Sequence, residues 1–188
     1  MSDAPLEPYE HAEHAQHAAH AGEPFIIKVT VTVALLAVIA ASVGSLETME
    51  SGRAIAAKND SVLHQNRATD AWAFFQARSI KKNLYEVAAI TNPDKAAELT
   101  KKAAQYDAEN GAIQKKAEGL EAQSEEALQA AAEHEHRHHT LTIAATLLHI
   151  SIAIATIAIV ARGRRWPWYV SIAMGSAGSA LAAAAYLA

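Results

Sequence analysis

The side chains with the most capacity for chemistry are histidines. The 188-residue chain has ten of them, and nine fall in two polar tracts or inside an apolar segment. The tract from Glu133 to His139 contains a formal H-E-x-x-H, with His134, Glu135 and His138 in the functional positions. On a helix, that spacing places two metal ligands on one face and a general base between them, the pattern of a zinc-dependent hydrolase. Three features weaken the match. The tract is low in complexity, so the pattern arises cheaply. No third ligand follows at a metzincin spacing. Asn92-Pro93-Asp94, the nearest analogue of an intramembrane protease's second motif, lies far along the helix.

A second tract near the N-terminus carries His11, His14, His17 and His20, three residues apart. Such neighbours on a helix can share a metal ion or form a protonation switch. The stripe precesses, however, and the four cannot face one ion. For both tracts the simpler reading is a solvated or headgroup-contacting polar segment. A divalent metal is therefore the one cofactor these residues suggest, and no catalytic residue is assigned. His149 sits within an apolar segment, where a polar side chain invites a functional reading. A structural bond to Thr32, Ser42 or Ser45 serves it better, because no acid accompanies it.

The rest of the composition narrows the classes further. There is no cysteine, which excludes disulfide and thiolate chemistry. A net charge of −4 and the absence of a basic stripe with interleaved aromatics argue against nucleic acid as a partner. No phosphate loop and no paired nucleophile and base are present. The pattern is that of a non-enzymatic protein.

The elements that position these groups are helices, because alanine is abundant and glycine and proline are sparse. Three apolar blocks stand out: 24–46, 140–161 and 166–188. Each is long enough to cross a bilayer core of about 20 residues. Lys28 is near enough to an end to snorkel, and Trp166, Trp168 and Tyr169 form an aromatic belt. The segment before Pro24 is acidic and the apolar run is long, so the first block reads as a retained span. Arg162-Gly163-Arg164-Arg165 marks a cytoplasmic loop by the positive-inside rule, with the N-terminal segment 1–23 on the same side and the hairpin and C-terminus periplasmic. Ala40 with Gly44, Gly175 with Ser179, and Gly178 with Ala182 have the spacing of close helix contacts.

Residues 47–139 are polar and helical, broken only at 91–94. Asn92 is suited to be an N-cap, with Pro93 in the first helical position. Two arms of about 45 residues each result, pairing as a long antiparallel coiled-coil hairpin between the first and second spans. The returning arm has a 4-3 series: Leu99, Ala103, Tyr106, Asn110, Ile113, Ala117, Leu120, Ser124, Ala127 and Ala131, continuing to His134, His138 and Leu141. The outgoing arm offers Ala73, Ala77, Ile80, Leu84 and Val87, weakening to Gly52, Asn59 and Asn66 nearer the membrane. Trp72, Phe74, Phe75 and Tyr85 fall outside that seam and are the expected contact between copies.

The stretch His64-Gln65-Asn66-Arg67-Ala68-Thr69-Asp70-Ala71-Trp72-Ala73-Phe74-Phe75-Gln76-Ala77-Arg78-Ser79-Ile80-Lys81 completes a distinctive order. An acidic tail with His-Ala repeats and a span precede it, and a His-rich stretch and two closing spans follow. The whole chain resembles a family of bacterial inner-membrane proteins of unknown function. The resemblance implies an all-α membrane protein and supplies no catalytic residues. The function expected is a non-enzymatic integral membrane scaffold that self-associates through its hairpin and spans, with membrane lipids as partners. The alternatives are an accessory subunit of a larger membrane complex, or a His-based metal- or pH-responsive membrane protein.

Overall fold

The computed structural model describes residues 24–161 and 164–187. The tract holding His11, His14 and His17 lies outside them, as do Arg162, Gly163 and Ala188. Every regular element among the described residues is helical. Helix α1 spans Pro24–Thr91, a 3-10 turn covers Pro93–Lys95, α2 spans Ala96–Val160 and α3 spans Trp166–Ala184. α1 and α2 run 68 and 65 residues because their interiors contain no proline to break the backbone ladder. Two of the three helices, α1 and α2, are long and apolar enough to cross a membrane.

The break between α1 and α2 is built differently from the cap expected of Asn92. Its side chain does not cap the following turn. Instead its Nδ2 donates to the carbonyl of Ala88 (3.0 Å), beside its own backbone N–H (3.1 Å), satisfying the end of α1. Pro93, with no N–H to lose, opens the turn.

The chain divides into two compact units. Among the described residues, one comprises 24–53 with those from Glu133 onward; the other is Ala54–Ala132. The core of the first is formed by one face each of α1, α2 and α3. Val29, Val33, Leu36, Leu141, Leu148 and Ile152 are buried there. α3 presents Ser171, Gly175, Gly178 and Ala182, all buried and on one face by their spacing. A Cβ on Gly175 would lie 2.5 Å from Leu36 Cδ2, and one on Gly178 would lie 3.1 Å from the carbonyl of Ala144. These two glycines therefore mark close helix approach, as their spacing predicts. Gly44 does not: nothing lies within 4 Å of a Cβ there. Ser151 donates to the carbonyl of Ser171 (2.5 Å), and the Trp168 indole donates to Thr32 Oγ1 (3.0 Å).

In the second unit α1 and α2 pair antiparallel. On α2, Ala103, Asn110, Ala117, Ser124 and Ala131 are buried, with the other members of the series half-buried. The α1 face differs from the one expected. Ala54, Ser61, Ala68 and Ala71 are buried, continued by half-buried Phe75, Arg78, Lys82 and Tyr85. Gly52, Asn59, Asn66, Ala73, Ala77, Ile80, Leu84 and Val87 are exposed. The seam is offset by two residues, about 200° around the helix. Small side chains allow close approach in one half, and the polar groups of α2 select the face in the other. Ser124 Oγ donates to the Ser61 carbonyl (3.0 Å), and Lys82 Nζ meets Asp107 (2.7 Å). Arg78 pairs with Glu109, and Tyr85 stacks on Tyr106 at 5.7 Å. Turning Ile80 and Leu84 inward would forfeit these pairings.

Candidate functional site

In the first unit, just past the apolar part of α1, an acid is enclosed by groups from three segments. The Glu50 side chain has no solvent exposure. His134 Nδ1 on α2 donates to its Oε2 (2.6 Å), while its Oε1 accepts from the Arg53 guanidinium (2.9 Å) and the Tyr186 hydroxyl (3.3 Å). One turn away, His138 Nδ1 donates to the carbonyl of Glu47 (3.3 Å) and Thr142 Oγ1 donates to Glu47 Oε1 (2.6 Å). Burial pushes the Glu50 carboxyl up. The hydrogen bonds from His134 and Tyr186, with the charges of His134 and Arg53, outweigh that and hold it below its ordinary value.

A carboxylate kept ionised and dry, bonded to an imidazole, is an acid–base pair that ties α1 to α2 and to the C-terminal segment. Glu50 was not among the candidates from sequence. It lies on the α1 seam, four residues before Ala54, and the misplaced register hid it.

His134 and His138 face α1, whereas Glu135 lies on the exposed side of α2. The two histidines are spent on different partners, Glu50 and the Glu47 carbonyl. Among the described residues no group of three histidines and acids is placed to hold a metal ion. His149 is exposed. Thr32 receives the Trp168 indole instead, and Ser42 donates to the Val38 carbonyl (2.9 Å).

Of the four aromatics expected at a contact between copies, three use their rings within the helix pair. Trp72 donates to Glu121 (2.8 Å) and meets Phe75 edge-on (5.6 Å), and Tyr85 stacks on Tyr106. Phe74 is exposed, beneath Arg78, and borders a groove with Arg67, Asp70, Ile113, Lys116 and Leu120. Ala73, Ala77, Ile80, Leu84 and Val87 form a further exposed apolar stripe on α1.

Fold and site define a protein whose described residues are helical, in which two long helices are apolar enough to cross a membrane, with a buried Glu50 bonded to half-buried His134 beyond the apolar part of the first. The chain belongs to the family described as Domain of unknown function (DUF4337), whose model matches residues 25–188. No curated protein and no solved structure matches it.

Proposed function

We propose that this protein is a non-enzymatic scaffold of the bacterial inner membrane. It is anchored by spans at 24–46, 140–161 and 166–188, and it self-associates. One observation carries the membrane reading: these helix segments are apolar on their outer faces as well as in their core. Val31, Leu35, Val38, Ile143, Ile150 and Ile157 point outward at 43–66% exposure, while Ser151, Ser171, Gly175 and Gly178 are buried beside Val33, Leu36 and Leu148. A water-soluble bundle would turn polar residues outward. In lipid, outward aliphatics incur no cost and small or hydroxyl-bearing residues make the helix contacts. Arg164 and Arg165 support a cytoplasmic loop between the second and third spans, and with it the reading of a periplasmic antiparallel coiled-coil hairpin.

Self-association draws support from the aliphatic stripe that α1 turns away from α2, since exposed apolar strips of this kind mark interaction sites. The Glu50–His134 pair favours a second reading, a pH-responsive scaffold whose packing at the membrane surface depends on that bond. Crosslinking and native mass measurement of the protein in lipid nanodiscs test the proposal. Self-contacts alone are expected. A stoichiometric complex with a different protein would instead indicate an accessory subunit.

A further inference from the structure

The outward stripe of α1 repeats the 4-3 spacing of a coiled-coil seam, yet nothing among the described residues covers it. Ile80, Leu84 and Val87 are 67%, 65% and 58% exposed. In heptad terms Ala77 and Leu84 occupy position a, and Ala73, Ile80 and Val87 occupy position d. Leu at a with Ile at d disfavours two strands and favours three or four. The shoulders agree with this. Phe74 on one side and Ile90 on the other, at 53% and 80% exposure, widen the strip. A helix that touches two neighbours needs such a width; one that touches a single neighbour does not.

The charges fit a copy of the same surface. Across the two shoulders, Phe74, Lys81 and Ala88 on one and Gln76, Asn83 and Ile90 on the other, Lys81 is the one charged residue. Side-by-side parallel copies set Gln76 against Lys81 and Asn83 against Ala88, so no like charges meet. The nearby cations Arg78 and Lys82 are already paired with Glu109 and Asp107 of α2. The parallel direction rests on the membrane reading above, because copies inserted alike send α1 out of the bilayer the same way.

We propose that residues 73–90 of α1 form the interface between copies of this chain, a parallel trimer or tetramer closed around Ile80, Leu84 and Val87. The test is the lipid-corrected mass of the full chain in nanodiscs, for the wild type and for Ile80→Glu/Leu84→Glu. These positions are exposed, so the variant keeps its helix content by circular dichroism. Expected are three or four copies for the wild type and one for the variant. Because the chain has no cysteine, Leu84→Cys reports proximity independently. It forms disulfide-linked pairs on oxidation, and Gln123→Cys on the exposed side of α2 does not. A variant that keeps the wild-type mass, or a wild-type dimer, overturns the inference and leaves self-association standing. A wild-type monomer overturns both.

Discussion

Replacing His134 with alanine removes the α2 side chain that bonds to the enclosed Glu50 carboxylate. Losing a hydrogen bond to a charged group costs about 1.5–3 kcal/mol. His134 is itself partly exposed, and Arg53 and Tyr186 still reach Glu50 Oε1, so the low end, about 1.5 kcal/mol, applies here. For a chain of this size that is a fall in Tm of about 3–6 °C, read by helix circular dichroism in detergent micelles. Glu50→Gln combined with His134→Ala must cost less than the sum of the two single changes, since the partners are in contact. The pH sign follows from the depressed carboxyl. Its contribution is present above the ordinary value of about 4.5 and is lost as pH falls through the lower folded value. The Tm gap between wild type and Glu50→Gln therefore narrows below about pH 4.5. A His134→Ala shift under about 2 °C, additive single and double changes, or a gap constant down to pH 3 would refute the reasoning.

Three further outcomes check the packing by the same melts. Ser124→Ala strands the Ser61 hydroxyl and costs about 1–3 kcal/mol, whereas Ser61→Ala/Ser124→Ala is close to neutral. Gly178→Ala forces a Cβ against the Ala144 carbonyl and destabilises by about 1–3 kcal/mol. Gly119→Ala, with nothing within 4 Å, stabilises by about 0.5–1 kcal/mol.

The two arms were unequally legible. On α2, Leu99 to Ala131 keep their 4-3 spacing among polar neighbours, and each is buried or half-buried as that spacing predicts. On α1 two 4-3 series coexist. The aliphatic one, Ala73 to Val87, carries the stronger hydrophobic signal but faces outward. The inner one runs through Ala54, Ser61, Ala68, Arg78 and Lys82, residues whose inward placement depends on Ser124, Glu109 and Asp107 opposite. Periodicity in one helix carries no information about its partner's polar groups. For the same reason, His134 was visible and Glu50 was not. A histidine in a His-rich tract draws notice, whereas an acid at a seam position means something only once the register is known. The glycines of α3 were readable because nothing larger fits the approach they mark.

The central claim is that the apolar parts of α1 and α2 lie in lipid. Single cysteines can replace Val38, Ile157 and Val62, exposed at 66%, 54% and 58%, in a chain with no other cysteine. Spin labels there, in the protein reconstituted into vesicles, report their surroundings. The account predicts that labels at 38 and 157 are relaxed by membrane-dissolved oxygen and shielded from a water-soluble nickel chelate, with the reverse at 62. Chelate access at 38 and 157 equal to that at 62 would contradict it.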